Sequence, residues 1–97
     1  MSAVQMNEQQ PKFCLGQTVS TANAVDALNP EDVLKAMARH HRGDWGDLCD
    51  EDREANERAL KHGGRLFSVY RDLQETKFYI ITECDRSATT VLLPEDY

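Results

Sequence analysis

The stretch RLFSVYRDLQETKFYIITECDRSATTVLL, residues 65–93, decides the fold. Within it Leu66, Ser68 and Tyr70 alternate with Phe67, Val69 and Arg71, and Phe78, Ile80 and Thr82 alternate with Tyr79, Ile81 and Glu83. Thr89-Thr-Val-Leu-Leu93 makes a third run, closed by Pro94. A two-residue period rich in β-branched and aromatic side chains reads as three strands. The joins, Asp72 to Thr76 and Cys84 to Ser87, are too short for crossover helices, so an antiparallel meander is expected.

Upstream the period becomes helical. Asn29 as N-cap, Pro30 at the first helical position and Glu31 and Asp32 at the positive end of the dipole open a helix from Pro30 to about Arg42. Its apolar positions Val33, Leu34, Met37 and Ala38, joined by His41, recur at three- and four-residue steps and predict one stripe packed on the sheet. Gly43 stops it. A second helix runs from about Asp50 or Glu51 to His62, ended by Gly63-Gly64, with a thin apolar side of Ala55, Ala59 and Leu60. Before these lie a short helical turn over Thr21 to Leu28 and, within Lys12 to Ser20, an edge strand interrupted at Gly16. Residues 1–11 carry no periodicity and are expected to be a disordered tail. The expected fold is α+β: two main helices and a short N-terminal helical turn packed on a three- to four-stranded antiparallel meander, as one domain over residues 12–97.

Composition narrows the function. The 97 residues are 40% hydrophobic, enough for one modest core but not two. Seventeen acidic against 11 basic residues give a formal charge of −6, which repels phosphate, so direct nucleic-acid binding is not expected. The apolar runs fall far short of the roughly 20 residues of a membrane span, and the N-terminus lacks a signal pattern, so the expected location is cytoplasmic. Cys14, Cys49 and Cys84 are odd in number and widely spaced, which predicts reduced thiols rather than a disulfide framework.

No catalytic residue is assigned. Cys49 or Cys84 with a histidine would need a third orienting group, and no local motif supplies one. His40, His41 and Asp44 are the candidate metal ligands, and with them a small metal-dependent hydrolase is one reading. Adjacent histidines on a helix point about 100° apart, which disfavours a shared ion, so no cofactor is expected. Trp45 stands in GDWGD, where it anchors the linker in the core or serves as a contact residue. Between Asp44 and Glu57 seven carboxylates face one cation, Arg53. Acids favour a helix start, and Glu57 has Lys61 four residues on. The same run, Asp44, Trp45, Asp47, Asp50, Glu51, Asp52, Glu54 and Glu57, is the candidate interaction surface for a protein partner.

At Cys14-Leu-Gly-Gln-Thr-Val19, Gly43-Asp-Trp-Gly-Asp47 and Arg86-Ser-Ala-Thr-Thr-Val-Leu-Leu-Pro-Glu-Asp-Tyr97 the chain resembles a family of small bacterial proteins. They are carried on plasmids and other mobile elements and are labelled "plasmid-related protein" or "type I restriction endonuclease subunit M". A methyltransferase needs a glycine-rich methyl-donor loop and an Asn/Asp-Pro-Pro-aromatic segment, and neither is present. The resemblance therefore implies a link to mobile elements without an activity. The expected function is an accessory or regulatory domain acting by protein–protein interaction. The alternative is a nucleic-acid mimic that inhibits a host DNA-binding or defence enzyme, and self-association through a sheet edge is open.

Overall fold

A computed structural model describes residues 10–97, so the expected tail lies outside the described residues except for Gln10 and Pro11. The elements are β1 (Gln17–Ser20), α1 (Ala22–Ala27), α2 (Pro30–His41), α3 (Asp50–His62), β2 (Leu66–Arg71), β3 (Lys77–Thr82) and β4 (Ala88–Leu92), then a 3-10 turn over Pro94–Asp96. The α+β class is as expected. The Asn29 side chain accepts from the amides of Glu31 and Asp32, and Thr21 caps α1 through Ala24. Gly43 and Gly63, at φ 86° and 84°, follow the ends of α2 and α3.

The sheet order is β1-β4-β3-β2. Strands β2, β3 and β4 form the antiparallel meander, with Ser68 opposite Ile80 and Ile80 opposite Val91. The first strand departs from expectation, because β1 pairs with β4 in parallel, Gln17 beside Ala88 and Ser20 beside Val91. The cause is its point of entry. The chain reaches the sheet beside the β3–β4 turn, where Gln17 donates to the Ser87 carbonyl, and so runs the same way as β4. Gly16 makes the approach possible: its φ is +66° and a Cβ there would lie 2.4 Å from Ser87 backbone.

Helix α2 lies on the face carrying Tyr70, Phe78, Ile80 and Val91. Its buried stripe is Ala36 and His40 flanked by half-buried Val33 and Met37, rotated from the expected one. Leu34 is 72% exposed, Ala38 is exposed, and His40 rather than His41 enters the core. Two local facts favour this rotation. Ala36 is small enough for close approach, and the imidazole of His40 finds buried hydroxyl partners that offset its desolvation. Rotation also moves the contact on α3, where Asn56 and Ala59 are buried and Ala55 is exposed.

The rotation sets two stability values. Phe78→Ala, at a fully buried position, should cost about 3 to 5 kcal/mol. Leu34→Ala should change stability by no more than about 0.5 kcal/mol. Urea unfolding of both variants checks the pair, and a large loss at Leu34 would contradict the orientation of α2.

Candidate functional site

The segment Gly43 to Asp47 joins α2 to α3 and closes the β2 edge of the sheet. Asp44 holds it first, accepting from Arg39 at 2.8 and 3.2 Å and from the Gly46 amide at 3.2 Å. The Arg39 guanidinium, followed by the Gly46 N–H, holds this carboxylate below its ordinary range. Tyr70 donates its hydroxyl to the Asp44 carbonyl, and burial pushes the phenol upward. Trp45 is 2% exposed, stacked on Phe13 and edge-on to His40, and its indole N–H donates to Glu57 at 3.0 Å.

Backbone pairing completes the closure. Strand β2 has β3 on one side, so Phe67 and Val69 turn their N–H and C=O groups outward. The Val69 amide donates to the Trp45 carbonyl and the Val69 carbonyl accepts from the Asp47 amide. Nearly two helical turns into α3, the Asn56 carboxamide receives the Phe67 amide at 3.1 Å and donates to its carbonyl at 2.7 Å, as a neighbouring strand would. Gly46 cannot be replaced here, since at φ +75° a Cβ would lie 2.0 Å from the Val69 oxygen.

These contacts divide the candidate surface. Trp45 is buried, so it is an anchor and not a contact residue. Asp44 is half-buried and tied to Arg39, and Glu57 receives the Trp45 indole rather than pairing with Lys61. The remaining Asp47, Asp50, Glu51, Asp52 and Glu54 are exposed. Among the described residues only Asp47 of these five forms an ion pair, with Arg71 at 3.7 Å. They gather as an acidic ridge around the start of α3, with Asp52 on the side of Asn56 and Phe67, and the helix is held by Asn56 and by Arg53, which donates to the Gly46 carbonyl at 2.8 Å.

The metal candidates are not brought together. His40 is completely buried and both its ring nitrogens are occupied, Nδ1 by Ser68 at 2.6 Å and Nε2 by Thr82 at 2.9 Å. His41 bonds the Phe13 carbonyl at 2.9 Å, and Asp44 serves Arg39. Among the described residues no three His, Cys, Asp or Glu side chains are grouped to hold a metal ion. The hydrolase reading therefore loses its residues. The three cysteines are free and exposed.

Proton order in the buried chain follows from its far end. Thr89 donates to the Leu15 carbonyl at 2.7 Å, which can only accept. Thr89 must then accept from Thr82, at 2.7 Å, and Thr82 from His40 Nε2–H. Nδ1 is left unprotonated to receive the Ser68 hydroxyl. The network is sealed, so the adjacent serine and histidine are structural. Mid-helix Asn56, and polar Ser68, Thr82 and Thr89 at inward strand positions, were the sequence signals for these roles.

No protein-family model, no curated protein and no solved structure matches the chain. No described helix is long and apolar enough to cross a membrane.

Two measurements test this geometry. Burial, aided by the neighbouring His41 charge, pushes His40 down to about 3, against about 6.5 in an unfolded chain. Below pH 6.5 the unfolded state binds a proton that the folded state does not. Stability should therefore fall with pH between about 6.5 and 5, by up to about 1.4 kcal/mol per unit, and His40→Gln should flatten that slope. Asn56→Ala should cost about 1 to 2 kcal/mol by urea unfolding, because two partly buried backbone groups of Phe67 lose their partner.

Proposed function

We propose that the chain is a small accessory domain that acts by binding another protein through the acidic ridge of α3, without catalysis. One observation carries the reading: Asp50, Glu51, Asp52 and Glu54 are exposed and form no ion pair among the described residues, on a helix whose inner side is pinned to a strand edge. Charges on a rigid support lose little entropy on pairing, and a basic protein surface is the complement they fit. The resemblance at Cys14 to Val19, Gly43 to Asp47 and Arg86 to Tyr97 is the ground for proposing a link to bacterial mobile elements. That link favours a second reading of the same ridge, as an imitation of a phosphate backbone that occupies the basic cleft of a host DNA-binding or defence enzyme.

The test is a double variant, Asp52→Lys with Glu54→Lys. Both positions are exposed, but Asp52 lies in the first turn of α3, where a cation opposes the helix dipole, so the variant should remain folded with a loss of about 1 kcal/mol. In affinity capture from a bacterial lysate the parent should retain partners at low salt and lose them as salt rises, and the variant should retain none of those partners. Equal recovery by the two proteins would end the proposal. Duplex DNA added in excess should displace the partner if the ridge is a mimic and leave it bound otherwise.

A further inference from the structure

The two edges of the sheet are treated in opposite ways. The β2 edge is closed by Asn56 and the Trp45 to Asp47 backbone, whereas all four residues of β1 are exposed. Gln17 donates to the Ser87 carbonyl just before β4 and Thr21 to the Val91 carbonyl within it, so by alternation the N–H and C=O groups of Thr18 and Ser20 face outward. Among the described residues nothing covers this edge, and Gln17-Thr-Val-Ser20 carries no charge and no proline, so its shortness is the one protective device it has. Beside it Leu34 and Val25, 72% and 64% exposed, overhang an apolar trough floored by Thr18, Ser20, Val33 and Met37.

We propose that this edge pairs with the same edge of a second copy, giving a twofold dimer with a continuous eight-stranded sheet. Self-pairing fits the symmetry of the strand. A twofold axis through Val19 sets Thr18 opposite Ser20 of the second copy and the reverse, each couple exchanging both backbone hydrogen bonds. Such an axis keeps the helices of both copies on one side of the sheet. Leu34 lines the same trough as Thr18 and Ser20, so the two Leu34 side chains meet above the new strand pair and cover it. Charge permits this contact where it opposes others. The ridge of α3 belongs to the far edge, and the joined sheet holds the two β2 strands that carry it about 34 Å apart, several Debye lengths in ordinary salt.

The interface is small, a four-residue strand and one trough, so the dimer is weak. Analytical ultracentrifugation of the full chain from about 10 to about 500 μM should show the mass rising from 11.0 kDa towards twice that value. Leu34→Glu alters a side chain that is exposed in the single chain and brings like charges together at the axis. It should weaken association about tenfold or more while leaving the unfolding midpoint unchanged. Thr18→Pro removes an outward amide without touching the ladder to β4 and should act in the same direction. Amide exchange at Thr18 and Ser20 should slow as concentration rises. A single-chain mass at 500 μM, or a dimer unaffected by both variants, or one formed with unchanged exchange at these amides, would overturn the proposal. Because Asp52 and Glu54 lie outside this seam, their variant should dimerise like the parent, which separates this outcome from that of the ridge.

Discussion

The outward amide and carbonyl groups of Phe67 and Val69 are the constraint on which the rest of the molecule depends. Left buried without partners, each would cost free energy comparable to a lost hydrogen bond. The chain meets this demand with two unlike devices, a stretch of linker backbone and one asparagine side chain. Pairing of Trp45 and Asp47 with Val69 fixes where α2 must stop and α3 must begin. Pairing of Asn56 with Phe67 fixes the rotation of α3, and through it the direction in which the carboxylates point. The charged ridge is thus a consequence of edge closure, which explains why a helix with so little apolar surface is held in place.

A second polar system orders the other side of the sheet. The chain from Ser68 through His40, Thr82 and Thr89 to the Leu15 carbonyl connects α2 with β2, β3, β4 and the segment that leads into β1. Among the described residues every buried side-chain nitrogen and oxygen has a partner. A fully satisfied network of this kind specifies one arrangement, because any rotation of α2 would leave several groups unpaired at once. Arg86 extends the same logic to the helix end, donating to the carbonyls of Ala59 and Gly64 where the dipole of α3 is negative. Its guanidinium also lies over the Phe13 ring, so the chain leading to β1 is tied to the end of α3.

These arrangements leave a polarised molecule, with charge gathered beyond β2 and a neutral, apolar-flanked strand at β1. The C-terminal turn adds to the order of the second half: Asp96 accepts from Thr21 at 2.6 Å and from Asn23 at 2.7 Å, binding the start of α1 to the end of the chain. Tyr97 lies edge-on to Tyr79 and near Phe67 on the sheet face opposite α2. Ser68 and His40, a hydroxyl beside an imidazole, are completely buried, so this pair is out of reach of a substrate.

The sequence by itself determined the elements. Asn29-Pro30, Gly43 and Gly63-Gly64 mark helix ends through interactions spanning a few residues, and the two-residue period of Leu66 to Leu93 marks strands in the same local way. Joins of four or five residues leave neighbouring strands no choice but to pair antiparallel, so the meander was legible too. What only the tertiary structure decided was every choice between nearly equal local options. Apolar periodicity put Leu34, Ala38 and His41 on the inner side of α2, and the buried hydroxyls of Ser68 and Thr82, distant in sequence, turn the helix so that Ala36 and His40 lie there instead. Charge patterning allowed Glu57 to pair with Lys61, yet the Trp45 indole claimed it. The parallel pairing of β1 rests on Ser87, some 70 residues away along the chain. Local signals fix dihedral preferences; partners for buried polar groups are found only when distant segments meet.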